Sequence, residues 1–396
     1  MKTMLRFSFV LVVIGGLFTD RCPAADLDPQ LVIGNTGLAL DLYGRLRTNE
    51  GNGCFSPYSI STALAMTYGG ARDETAKQMA RTLHFALPPD QLHPAFAALE
   101  ANFKAVQQKG RVQLEVANSL WPQKDYAFLP EYLDLCRTCY HTSITSVDYA
   151  GNTESARKTI NDWVEDKTNG KIIELLKPGI LDQDTRLVLV NAIYFKGNWA
   201  SQFDVRQTRD EPFHVSAEKT VTAPLMRQTS DFRCAEFPDL QVLELPYLDN
   251  QLVMQVVLPR QVDGLGRLEA KLTKQNLTAW TANLQTHEMA VILPRFNVKA
   301  DFSLVETLKA MGMFAAFGPA DFSGMDGRKD LFLSEVRHAA FVKVNEEGTE
   351  AAATTAAMAT LGIPPRFRTD HPFLFLIRDL RSGSILFLGR VTNPTQ

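Results

Sequence analysis

Residues 345–365 read NEEGTEAAATTAAMATLGIPP, and the reading of this stretch decides the fold. It lies between two apolar runs, 339–344 and 373–377, that have the composition of buried strands. Alanine favours helix, but the β-branched Thr349, Thr354 and Thr355 weaken one, and a linker would carry more Ser, Pro or charge. Taken as a strand of period two, one face is Thr349, Ala351, Ala353, Thr355 and Ala357; the other is Glu350, Ala352, Thr354, Ala356 and Met358. The first face is small and uncharged throughout, so it could slip beneath an existing sheet surface. The charge of Glu350 falls on the opposite face. The segment has the make-up of a loop able to become a strand.

Outward from this stretch, the C-terminal two thirds have the texture of strands. Residues 187–195 (LVLVNAIYF) are almost continuously apolar and suit a central strand buried on both faces. Further strand-like runs are 241–245, 252–258, 289–293 and 385–391, and residues 113–116 alternate. The first third is helical in pattern: 28–46 carries apolar residues at three- and four-residue steps, and Ser56-Pro57 caps and opens a second helix that runs to Gly69-Gly70. Residues 73–83, 92–108, 129–140, 153–168 and 303–311 are also expected to be helical. No repeat period and no interdomain linker stands out. The result is an α+β chain, helices in front and strands behind.

The 396 residues carry 41 basic and 44 acidic side chains, with 45% hydrophobic residues, enough for a large core. A net charge of −3 with dispersed signs gives no reason to expect nucleic acid or a membrane surface as partner. Residues 1–25 have the layout of a secretory leader: a basic head with Lys2 and Arg6, an apolar run at 7–18, and small residues at Ala24-Ala25. That run is too short to span a bilayer, which takes about 20 residues. The chain is therefore expected outside the cell, or in the periplasm of a Gram-negative source, with cleavage after Ala24 or Ala25 that removes Cys22. Cys54, Cys136, Cys139 and Cys234 would remain, too sparse for a disulfide-built scaffold. Cys136-x-x-Cys139 has redox spacing but lies in a helical stretch, and buried small hydrophobes or one incidental disulfide account for these cysteines better.

Catalytic chemistry is hard to find. The seven histidines are scattered, with no His-Glu-x-x-His, no Gly-x-Ser-x-Gly, no phosphate-cradling Gly-Lys-Ser/Thr loop and no dinucleotide fingerprint. Neither a nucleophile with its base nor a metal-ligand set emerges, so the expectation is a non-enzyme without metal or cofactor. One Asn-x-Thr sequon, Asn276-Leu277-Thr278, matters only where exported proteins are glycosylated.

Four motifs resemble the inhibitory serpins, in that family's order and across essentially the whole mature chain. They are Phe55-Ser56-Pro57-Tyr58-Ser59-Ile60, Asn191-Ala192-Ile193-Tyr194-Phe195-Lys196-Gly197-Asn198-Trp199, the Glu346-to-Ala353 hinge, and Asp370-His371-Pro372-Phe373-Leu374-Phe375. The chain then ends in a matching Gly389-Arg390-Val391-Thr392-Asn393-Pro394. Thr369 departs from the family, which more often has Ala, Cys or Val there.

The resemblance implies a serpin fold in one domain, 26–396: three β-sheets, eight or nine helices, and an exposed reactive-centre loop at about 346–365. It implies a monomeric, secreted suicide inhibitor. A protease attacks the loop as bait, forms an acyl-enzyme, and is dragged across as the cut loop inserts into the large sheet. By this resemblance Gly348, Thr349, Glu350, Ala351, Ala352 and Ala353 form the hinge. Trp199 marks the breach where insertion begins, with Arg295 paired to Glu346. Ser56, Ser59, Asn191 and His338 form the polar shutter beneath the strands; His338 also reads as a satisfied core histidine. Counting forward from Gly348 places the cut after Gly362, and counting back from Pro364-Pro365 places it after Leu361. Leu361–Gly362 is preferred over Gly362–Ile363 because Leu fills a specificity pocket and Gly does not. That favours a chymotrypsin- or elastase-like serine protease and disfavours a trypsin-like one, since residues 348–365 contain no Lys or Arg. The alternatives are a non-inhibitory carrier or chaperone of the same fold, disfavoured by the small hinge residues, and a cysteine-protease inhibitor using the same loop. Glycosaminoglycan activation is not expected, because 92–111 offers only Lys104, Lys109 and Arg111 as cations.

Overall fold

Capping chemistry sets where the first helices begin. In the computed structural model, which describes residues 22–23, 25–107, 112–142, 144–347 and 365–396, α1 (Pro29–Leu46) starts at Asp28, whose carboxylate accepts from the Gln30 N–H at 2.7 Å. Helix α2 (Pro57–Tyr68) starts at Ser56, whose hydroxyl oxygen accepts from the Ser59 N–H at 3.1 Å, with Pro57 where its missing N–H costs nothing. The expected helices follow as α3 (Asp73–Thr82), α4 (Pro89–Gln107), α5 (Pro130–Tyr140) and α6 (Tyr149–Lys167). Later helices are short: α7 (Leu265–Ala270), α8 (Lys274–Ala282), α9 (Val305–Ala310) and α10 (Ser323–Asp326). The helix expected over 303–311 is reduced to α9, because Ser303 still belongs to the preceding strand.

The strands are β1 (Gly53–Phe55), β2 (Val112–Pro122), β3 (Leu187–Gly197), β4 (Arg209–His214), β5 (Thr220–Glu236), β6 (Leu240–Pro246) and β7 (Leu252–Pro259). After them come β8 (Gln285–Pro294), β9 (Phe296–Ser303), β10 (Glu335–Val344), β11 (Arg366–Arg368), β12 (Phe373–Asp379) and β13 (Ile385–Val391). They form a nine-stranded sheet in the order β1-β13-β12-β7-β6-β5-β8-β11, with β4 also on β5, and a four-stranded sheet in the order β2-β3-β10-β9. The resemblance implied three sheets and eight or nine helices; the described residues hold two sheets and ten α-helices. The sheets merge because β5 is one long strand that pairs with β4 over Thr220–Leu225, with β8 over Leu225–Cys234 and with β6 along its last four residues.

In the four-stranded sheet β3 and β10 are parallel neighbours, in register from Val188 opposite Glu335 to Phe195 opposite Val342. Every β3 residue except Lys196 is buried, as its continuous apolar run requires. Its alternate residues serve two cores. Leu187, Leu189, Ile193 and Phe195 join the main core, while Val188, Val190 and Ala192 meet Ala339 and helix α6 residues such as Ile160 and Val164 on the opposite face. Cys22, expected to leave with the leader, is instead bonded to Cys139, and Cys54, Cys136 and Cys234 are buried free thiols. No helix among the described residues is long and apolar enough to cross a membrane.

Candidate functional site: the loop base and the polar cluster under the central strands

Strand β10 leaves its sheet at Val344, and the three residues that follow are each held by a different element. The Trp199 indole N–H donates to the Asn345 carbonyl at 2.8 Å. The ring stacks on Tyr247, with centroids 4.6 Å apart and planes within 10°. Glu346, only 4% exposed, accepts from Arg295 Nε at 3.0 Å and Nη2 at 2.5 Å, and from the Thr208 hydroxyl at 2.7 Å. Burial pushes the Glu346 carboxyl up, but the Arg295 and Thr208 hydrogen bonds outweigh it and hold the group below the ordinary glutamate value. Glu347, more exposed, pairs with Lys196 at 2.7 Å. The Arg295–Glu346 pairing expected from the resemblance is present. Thr208, Lys196 and Tyr247 were not assigned roles from sequence.

Below this point a polar cluster ties β2, β3 and β10 to the start of α2. His338 and Asn191 are directly opposite in the β3–β10 register. His338 Nε2 accepts from the Ser56 backbone N–H at 3.2 Å, so Nδ1 carries the proton and donates to Asn191 Oδ1. The Asn191 amide in turn donates to Ser59 Oγ and Asn118 Oδ1. Ser56, Ser59, Asn191 and His338 therefore meet as expected, joined by Asn118 of β2. His338 is fully buried, with Phe302 edge-on at 5.4 Å. Burial lowers its pKa to about 3, keeping the ring neutral and able to accept from Ser56. Chemically this is a set of satisfied hydrogen bonds, of which the His338–Asn191 bond spans β10 and β3 and must break wherever those strands part.

The hinge Gly348–Ala353 and the reactive bond residues Leu361 and Gly362 lie outside the described residues. The chain is described again from Pro365, whose carbonyl accepts from the Ala290 N–H at 2.9 Å. Phe367 on β11 is buried, and Arg368 is held by Asp370 at 2.6 Å and Glu211 at 2.9 Å. Thr369 is fully buried and its hydroxyl finds no protein partner.

Comparison with known proteins places this geometry in a family. The chain is 43% identical to the human leukocyte elastase inhibitor over 381 residues, covering 92% of this chain and all of that protein. It is 44% identical to the bovine leukocyte elastase inhibitor, with the same coverage, and 41% identical to human Serpin B3 over 385 residues. Among solved structures, uncleaved ovalbumin superposes with a TM-score of 0.88 at 31% identity, covering 92% of this chain and all of that one. Serpin48 of the insect Tenebrio molitor superposes at 0.82 with 32% identity, covering 92% of this chain and 98% of its own. With a family model described as "Serpin (serine protease inhibitor)" matching residues 34–394, the chain belongs to the serpins, a family of protease inhibitors rather than enzymes.

Proposed function

We propose that this serpin is an exported suicide inhibitor of chymotrypsin- or elastase-like serine proteases, cut at Leu361–Gly362. The protease serine hydroxyl adds to the Leu361 carbonyl, the Gly362 amine leaves with a proton, and Leu361 remains bound as an ester. Residues 348–358 then enter the four-stranded sheet as a new strand and carry the protease with them.

The observation that carries this reading is the parallel pairing of β3 with β10, since β10 runs directly into residues 348–364. A chain that turns back after Val344 runs antiparallel to β10, and so to β3 as well. Inserted between them it would replace one parallel ladder by two antiparallel ones, the pairing that is more stable per residue. The faces suit the slot: neither side of 349–358 carries a residue larger than Met, and Glu350 sits near the entrance. In this reading Trp199, Arg295 and Glu346 hold the loop base until the cut, and the Ser56–Ser59–Asn191–His338 cluster is the latch that opens. Relatives named as leukocyte elastase inhibitors support an elastase-like target. The leader-like residues 1–25 and the Cys22–Cys139 disulfide support export, because disulfides persist in oxidising compartments.

The test is incubation with pancreatic elastase, chymotrypsin and trypsin, followed by denaturing gels and mass measurement of the released peptide. Elastase or chymotrypsin should give a detergent-resistant complex and a peptide beginning at Gly362. Cleavage without a complex would mean a substrate, not an inhibitor; a complex with trypsin alone would overturn the target class.

A further inference from the structure

We infer that Cys22 belongs to the mature protein: the leader is removed ahead of it, and the exported chain is stapled Cys22–Cys139. The inference rests on the export reading above.

Cleavage after Ala24 or Ala25 would discard a residue that the fold uses. Cys22 lies a few residues before α1 and packs, partly buried, against the main core. Its Cα is 4.9 Å from that of Cys139 near the end of α5, within the window that a disulfide bridges without backbone movement. The position on α5 is selective. Cys136, one turn earlier, is 1% exposed, and burial pushes its thiol up to about 12. It therefore supplies no thiolate to form a Cys136–Cys139 redox pair or to attack the existing bond. Oxidation is a two-electron exchange with a disulfide carrier of the exporting compartment: Cys22 and Cys139 each lose a proton and together form the S–S bond, while the carrier is reduced to two thiols.

The staple also reaches toward the latch. Immediately beyond α5, His141 turns the chain with φ 49°, and the Thr142 hydroxyl donates to the Asn118 carbonyl at 2.6 Å. Asn118 is the β2 member of the polar cluster. The disulfide thus fixes the wall behind that cluster to the N-terminus, across 117 residues of chain.

The experiment expresses the full chain with its own leader in an exporting host and maps the protein from the medium without reduction. The expected result is an N-terminus at or before Cys22 and a Cys22–Cys139-linked peptide. Dithiothreitol should lower the melting temperature of the uncleaved protein by about 5 °C, as expected for a loop of this length in a chain of this size. It should leave the C22S/C139S variant, already lowered by the same amount, unmoved. A secreted protein that starts beyond Cys22, or a free Cys139 thiol in the non-reduced protein, overturns the inference while export stands. Chain retained in the cell with residues 1–21 attached overturns it through the export reading.

Discussion

Removing Arg295 should damage the protein more than removing its partner Glu346, although both substitutions break the same ion pair. Glu346 is 4% exposed, whereas the Arg295 side chain is 45% exposed. Arg295→Ala leaves a buried carboxylate with only the neutral Thr208 hydroxyl as side-chain donor. Breaking a buried pair in this way costs about 3–5 kcal/mol, reduced here to about 2–3 because the site opens to solvent on the arginine side. Glu346→Ala leaves Arg295 free to hydrate and loses one hydroxyl hydrogen bond, a cost of about 1–1.5 kcal/mol. The double variant removes the stranded charge and should recover about 1 kcal/mol relative to Arg295→Ala. With an unfolding entropy of about 0.8 kcal/mol per degree for a chain of this size, the expected losses in melting temperature at pH 7 are about 3–4 °C and 1–2 °C. The sign with pH follows from the depressed Glu346 carboxyl: the pair's contribution is present above the ordinary glutamate value of 4.5 and is lost as pH falls through the lower folded value. Thermal melts of the uncleaved wild type, both single variants and the double variant, at pH 7 and pH 3.5, measure all of this. Arg295→Ala no worse than Glu346→Ala, or a double variant worse than either, would refute the reasoning.

Burial lowers His338 to about 3 and His93 to about 4, so both are neutral in the fold and charge on unfolding below about 6.5. Stability should fall as pH drops from 6.5 toward 4, by up to about 1.4 kcal/mol per unit for each histidine, and His93→Gln should remove about half of that slope in pH-dependent melts. Thr369→Val removes a buried hydroxyl without a protein partner at nearly constant shape, and should raise the melting temperature by about 1 °C, from about 1 kcal/mol. Leu361→Arg should redirect complex formation from elastase or chymotrypsin to trypsin, read on denaturing gels; unchanged selectivity would move the reactive bond elsewhere.

Where a local rule decides the backbone, the sequence was readable. Asp28 and Ser56-Pro57 mark helix starts, and the unbroken apolar run of β3 marks a strand buried on both faces. Strand β5 was not readable, because its 17 residues cross from one packing environment to another and include Pro224, Ser230, Asp231 and two exposed positions, Thr220 and Thr222, before the first arginine. Strand β9 is only half covered, so Lys299 and Asp301 interrupt its pattern. The Arg295–Glu346 pair and the Ser56–Ser59–Asn191–His338 cluster join residues far apart in the chain, and only the resemblance brought them together. Asn118 carried a signal that went unused: it falls on the same face of β2 as Leu114 and Leu120, as Asn191 does between Leu189 and Ile193 on β3. A polar residue on an apolar face requires a partner. The Cys22–Cys139 pairing was not legible, because it depends on how α5 packs against the residues before α1.

In the proposed mechanism the cut loop opens the β3–β10 ladder and becomes the strand between them. The most direct measurement is a crystal structure of the protein cleaved at Leu361–Gly362. Residues 349–358 should then form a strand antiparallel to both β3 and β10, with His338 and Asn191 no longer opposite each other. A cleaved protein in which His338 still faces Asn191 across an unbroken parallel ladder would contradict it.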